Sequence, residues 1–232
     1  MNGEFCKSLQ EDIVDAAKYA TSDPGIESPY FDKELPPLPW GDPKQLAIFG
    51  GSFGGYSALW GMTSNPGLYK CAVAICPISS VGAADEQSKK AFYGSPIVAK
   101  YWQRVFGKNI SKNKIAATKA SPMHHMDKVS EGSSVALFHG ANDPRAPIQH
   151  SYQVQEKLRK FGIAGEFVEF AGEGHGISKD ANKLYMYYRI EEFLCKKFGM
   201  SVFDAGDDAK KIEQNDATVK WSADYAKRIK GV

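Results

Sequence analysis

A serine set among glycines, between an apolar run and a helix, constrains this chain more than any other feature. Gly50-Gly51-Ser52-Phe53-Gly54-Gly55-Tyr56 follows Leu46-Ala47-Ile48-Phe49 and leads into Ser57-Ala58-Leu59-Trp60-Gly61-Met62, which reads as helix. Strand, sharp turn and helix together are the context of a nucleophile elbow. A serine at so tight a turn sits in strained backbone, and neighbouring elements pass close to it. Gly50 and Gly54 are therefore expected to be glycine because a Cβ has no room there. Such a turn lifts Ser52 Oγ above the sheet and aims the Phe53 backbone N–H at a developing oxyanion. A lone G-x-S-x-G match also fits a plain glycine-rich turn before a helix, so the rest of the chain has to decide.

The remainder alternates strands with helices. Leu9 to Ala20 is an amphipathic helix with acids in its early turns. Residues 22–43 form a loop, broken by Pro24, Pro29, Pro36, Pro37, Pro39 and Pro43. Cys71 to Cys76 is apolar on both faces, as a central parallel strand should be, and Pro77 ends it. Ala83 to Ala120 mixes helical pieces with Phe92, Tyr93, Tyr101, Trp102 and Phe106, aromatics for the core or for the lining of a cleft. Ser134 to Phe138 and Glu166 to Phe170 are strands. Ile148 to Phe161, capped by Gly162, and Asp180 to Phe198 are helices. The fold class that follows is α/β, with a mostly parallel sheet and flanking helices. A chain of 232 residues buries one substantial core. The expected division is a domain over residues 1–200 and a polar tail over 201–232, read as a marginal helix or an appended arm.

In an open α/β sheet the carboxyl ends of the strands carry the site. Three such ends supply Ser52, Asp143 and His175, in the order typical of α/β-hydrolases. Serine would attack a carbonyl carbon, histidine would move its proton, and aspartate would hold the imidazole tautomer and its charge. Singly, Asp143 also suits a helix cap and His175 a surface loop; all three in order are harder to reach by accident. His124 and His125 precede a strand, so structural roles are expected for them; His139 ends a strand and is expected to pack or hydrogen-bond beneath the site, and His150 lies on the helix beyond. Asp127, Glu156 and Glu173 are rival acids, but none follows a strand at the needed place.

Composition narrows the alternatives. A net charge of +2 with no basic patch gives nucleic-acid binding no support. No apolar segment approaches a membrane span, and the amino terminus has no signal-peptide core. Cys6, Cys71, Cys76 and Cys195 have no metal-type spacing and read as reduced thiols. The expected location is cytoplasmic, with neither metal nor cofactor.

The residues quoted resemble the prolyl oligopeptidase family of serine peptidases (peptidase family S9), in its catalytic α/β-hydrolase domain. Gly50 to Tyr56 is similar to the family's G-x-S-[YF]-G-G-Y elbow. His139-Gly140-Ala141-Asn142-Asp143-Pro144-Arg145-Ala146-Pro147 is similar to its acid loop, and Gly172-Glu173-Gly174-His175-Gly176 to its histidine loop. The match runs from about Glu11 to Phe198 and is nearest the dipeptidyl aminopeptidase and acylaminoacyl peptidase branch. The resemblance implies cleavage of oligopeptide bonds by Ser52, Asp143 and His175 through an acyl-enzyme, without metal or cofactor. It also implies an oxyanion donor at Phe53 N–H, Arg145 against a substrate carbonyl or carboxylate, and Tyr56 at the border of the pocket. Alternatives are a carboxylesterase-type hydrolase on the same triad and an inactive fragment.

The resemblance breaks at the front. A complete domain of this family resembles a sheet with several strands ahead of the elbow strand, one loop of which supplies a second oxyanion donor. Only 51 residues precede Ser52, and they hold one helix and a proline-rich loop. The expectation is a hydrolase domain lacking its first strands and the family's β-propeller, whose partners are a peptide substrate and either further copies or the missing amino-terminal segment.

Overall fold

Four apolar runs lie side by side as parallel strands in chain order: β1 (Ala47–Gly51), β2 (Cys71–Ile75), β3 (Ser134–Gly140) and β4 (Ala164–Phe170). A computed structural model describes residues 8–21, 41–91, 100, 104, 110–202 and 208–223. Residues 22–40 of the loop expected over 22–43, the aromatics Phe92, Tyr93, Tyr101, Trp102 and Phe106, and Cys6 lie outside them. The helices are α1 (Ser8–Ala20), α2 (Phe53–Ser64), α3 (Val81–Ala91), α4 (Lys114–Lys119), α5 (Gln149–Lys160), α6 (Asp180–Phe198) and α7 (Ala209–Ile212).

The continuous apolar character of β2 and β3 follows from cover on both faces. On one face Ile48, Ala72, Leu137 and Phe167 meet Leu59 and Met62 of α2 and Val154 and Leu158 of α5, with Ile13 and Ala17 of α1 beside them. On the other, Val73, Ala136, Phe138 and Val168 pack on Met186 and Ile190 of α6. Each fully buried leucine or phenylalanine contributes about 1.5–3 kcal/mol, so this double layer holds the strand ends in place. Gly199, in the left-handed region at φ 70°, ends α6.

The segment after residue 200 differs from the arm or marginal helix expected. It turns through α7 and returns as β5 (Ala217–Ala223), antiparallel to β4. The sheet order is thus β1-β2-β3-β4-β5. β1, the strand that feeds the elbow, is an edge among the described residues. Its Ala47, Phe49 and Gly51 face outward, with Phe49 54% exposed.

No helix among the described residues is long and apolar enough to cross a membrane. Cys71, Cys76 and Cys195 are buried free thiols.

Candidate active site

Ser52 sits between β1 and α2 with φ 55°, a conformation that costs a non-glycine residue about 1–3 kcal/mol and that surrounding contacts must impose. Here its N–H donates to Ile75 O at 2.8 Å, and its carbonyl accepts from Tyr56 N at 3.0 Å. The glycine expectation holds for Gly50, where a Cβ would lie 2.4 Å from the backbone carbonyl carbon and oxygen of Gly54. It fails for Gly54, whose Cβ would meet nothing within 4 Å. The second constrained glycine is Gly55, where a Cβ would come 3.0 Å from Pro77, because α2 crosses the end of β2 there.

The three sequence-predicted side chains meet. Ser52 Oγ lies 2.8 Å from His175 Nε2, and His175 Nδ1 lies 2.8 Å from Asp143 Oδ2. A carboxylate only accepts, so Nδ1 carries the proton and Nε2 is left to accept from the serine hydroxyl. Phe53 opens α2, the end at which backbone N–H groups point out of a helix and favour negative charge.

Asp143 is buried and held by several donors. Oδ1 accepts from Arg145 N at 2.8 Å and Ala146 N at 2.9 Å. Oδ2 receives His175 and, at 3.3 Å, His139 Nε2. Burial alone pushes the carboxyl up, but the bonds from His139, His175 and Ala146 outweigh it and hold it well below the usual carboxylate range. It stays ionised beside His175.

His139, expected beneath the site, is there. Its Nε2 also contacts Ala146 O at 2.8 Å; a carbonyl only accepts, so Nε2 is protonated and Nδ1 faces Ser151 Oγ at 2.7 Å. Cys76 completes the surroundings of Asp143. Burial pushes its thiol up to about 12, Gly140 N–H opposing and the Asp143 carboxylate adding to the rise. Its φ of 45° makes it, with Ser52, one of two non-glycine residues in the positive region among those described. Cys76, His139 and Asp143 have ligand atoms within 4.8 Å of one another, a set that could hold a cation. Cys76 Sγ donates to Gly174 O at 3.9 Å and His139 meets the Asp143 carboxylate, so the two act as supports for Asp143.

The remaining expectations divide. Arg145 is exposed on the acid loop, two residues from Asp143. Tyr56, expected at the border of the pocket, is fully buried, donates its hydroxyl to Ala120 O at 3.0 Å, and stacks on Phe53 at 5.8 Å between ring centroids. With its surface and its donor both used, it supports Phe53 from below. Glu173 is buried and caps the start of α6 through Ser178, Lys179 and Asn182. Among the other histidines, His125 contacts Lys119 O at 3.0 Å and buried His150 accepts from Ser79 N at 3.2 Å. A cavity of about 190 Å³ lined by Glu166, Arg189, Lys196 and Lys197 opens near the amino ends of β3 and β4, away from Ser52.

The sequence matches the description of the prolyl oligopeptidase family over residues 33–201. It is 27% identical over 207 residues to dipeptidyl aminopeptidase BIII of Pseudoxanthomonas mexicana, covering 89% of this chain and 27% of that protein. It is 28% identical over 200 residues to dipeptidyl peptidase family member 6 of Caenorhabditis elegans, covering 85% of this chain and 24% of that protein. Among solved structures, a Mycobacterium tuberculosis puromycin-hydrolyzing peptidase superposes with a TM-score of 0.70 at 24% identity, over 85% of this chain and 26% of that one. The chain therefore spans about a quarter of the length of these relatives, and the solved structure shares its fold.

Proposed function

The chain belongs to the prolyl oligopeptidase family, and on that premise we propose that it hydrolyses peptide bonds of oligopeptides through an acyl-enzyme on Ser52. Ser52 Oγ attacks the scissile carbonyl carbon while His175 Nε2 takes its proton. The Phe53 N–H stabilises the oxyanion of the tetrahedral intermediate. As that intermediate collapses, the C–N bond breaks and His175 gives the proton to the leaving amine. Water then attacks the ester by the same route in reverse, releasing the acid and restoring Ser52. Asp143 keeps the imidazole oriented and stabilises its charged form.

The observation that carries this reading is the unbroken relay from Ser52 Oγ through His175 to Asp143, with both contacts at 2.8 Å. Family membership supports amide over ester chemistry. Arg145, exposed beside the acid loop, suits a substrate carbonyl or carboxylate.

The test is labelling of the purified chain with a fluorophosphonate, beside Ser52→Ala and His175→Ala, followed by a panel of aminoacyl-arylamides and aryl esters. Labelling lost in both variants, with arylamide turnover, is expected. A folded wild type that does not label overturns the reading, and ester turnover without amide cleavage replaces peptidase with esterase.

A further inference from the structure

The loop after β4, residues 171–179, carries His175 and is tied at several points. The Glu173 carboxylate accepts from Ser178 N at 2.9 Å, Ser178 Oγ at 2.8 Å, Lys179 N at 2.9 Å and Asn182 Nδ2 at 2.7 Å. Its carbonyl accepts from Asn142 N of the acid loop at 2.9 Å, so the two loops that carry Asp143 and His175 are joined through it.

A further tie comes from outside residues 33–201, which the family match spans. Asn182 is buried and spends its amide on both sides: Nδ2 on Glu173, and Oδ1 on the backbone N–H of Asp216 at 3.0 Å. The Asp216 carboxylate takes Lys179 Nζ at 2.7 Å. That ion pair rests directly on the histidine loop. A Cβ on Gly172 would come 2.1 Å from Lys179 Nζ and 2.6 Å from Asp216 Oδ2. Asp216 is fixed in turn by the strand it precedes, because β5 pairs with β4 along its length. Asn215 closes the turn before it, accepting from Ala217 N at 2.9 Å and donating to Ile212 O at 2.6 Å.

We propose that residues 208–223 are a brace that positions His175. β5 holds Asp216, Asp216 holds Lys179 and Asn182, and Asn182 holds Glu173 in the loop. None of these residues touches Ser52 or the reacting atoms, so each is a positioning residue. An exposed ion pair contributes little by itself, whereas bonds made by a buried amide are costly to lose. Asn182 is therefore the main relay and the Lys179–Asp216 pair the lesser one. A base displaced by a fraction of an ångström slows proton transfer without weakening binding, which is the signature of such a device. The brace rests on the reading of His175 as general base only for its effect on rate; its effect on the loop is independent of that reading.

The test uses the full chain and two readouts: hydrogen exchange of residues 171–179, and inactivation by a fluorophosphonate separated into kinact and KI. Asn182→Asp keeps the acceptor for Asp216 N–H but sets a like charge against Glu173. Asp216→Asn removes the charge that Lys179 pairs with and leaves the backbone N–H that Asn182 accepts. Asn182→Asp is expected to speed exchange in the loop and cut kinact about tenfold, with KI within about twofold. Asp216→Asn should do both by about two- to fivefold, and Lys179→Asp combined with Asp216→Lys should restore the wild-type values. Unchanged loop exchange in folded variants, or kinact within about twofold of wild type in Asn182→Asp, overturns the brace. If Asn182→Asp does not fold, Asp216→Asn and the charge reversal decide. A wild type that never labels overturns the hydrolase reading instead, and loop exchange still tests the brace.

Discussion

His139 Nε2 lies 3.3 Å from Asp143 Oδ2, the oxygen that His175 Nδ1 contacts at 2.8 Å. Two imidazoles thus converge on one carboxylate oxygen, one from the loop after β4 and one from β3 itself. His139 also bonds Ala146 O, and Ala146 N donates to Asp143 Oδ1. The inner histidine therefore holds the acid loop as well as the acid. His139→Leu should cost about 1–3 kcal/mol by urea unfolding, since it takes the Nε2 donor from the buried Ala146 carbonyl and leaves Asp143 Oδ2 to His175 alone. In the folded fraction it should lower the rate of fluorophosphonate labelling about tenfold, by loosening Asp143. An unchanged rate would limit His139 to packing.

Glu173 predicts the acid limb of stability. Burial pushes its carboxyl up, but Ser178 N–H, the Asn182 amide and Lys179 N–H outweigh that and bring it from 4.5 to about 2. A folded pKa below the unfolded one means the stabilisation is complete above pH 4.5 and is lost as pH falls toward 2. Its size is roughly 2–4 kcal/mol. Glu173→Gln should lower stability at pH 7 by an amount of this order and flatten the decline of melting temperature across that window. A variant that declines as steeply as wild type would assign the acid limb to other carboxylates, of which Asp143 is the first.

The sequence was legible where its local signals agreed. Asp180 and Phe198 bound α6 in both sequence and structure, because apolar spacing and Gly199 agree there. That Ser52, Asp143 and His175 lie together was legible because each follows an apolar strand. The strand in the tail was not, and the bulge explains why. Phe167 pairs with Trp221 and Val168 with Val219, so Lys220 is an extra residue in β5. The alternation reverses across it: Ala217 packs on the α6 side, while Trp221, four residues on, packs on the opposite face. A period-two pattern broken in the middle of seven residues gives no strand signal. That Tyr56 is buried was not legible either. It lies one turn into α2 from Ser52, on the helix face packed against Ile78 and Val81, and a motif does not say which way a side chain turns.

The two glycines flanking Ser52 should behave oppositely. Gly50→Ala forces a Cβ onto the backbone of Gly54, and backbone cannot move aside without opening the elbow. It should destabilise by about 3 kcal/mol or more and abolish labelling. Gly54→Ala meets open space inside a helix and should raise stability by up to about 1 kcal/mol. Thermal melts of the two variants check this directly, and equal losses would refute the steric account.

The edge at β1 predicts solution behaviour. Phe49 is more than half exposed on the outward face of a strand that has no outer neighbour among the described residues. Unpaired backbone groups beside an apolar ring are a template for pairing with another chain. Phe49→Lys removes the apolar surface and sets a charge on the edge without touching the buried face, where Ile48 packs. Stability should change by no more than about 0.5 kcal/mol, because the ring contributes little to the core. Light scattering at a series of concentrations should show less association for the variant than for wild type, and the difference should grow with concentration. If Phe49→Lys instead unfolds the chain, the ring is covered in solution and β1 is not a free edge.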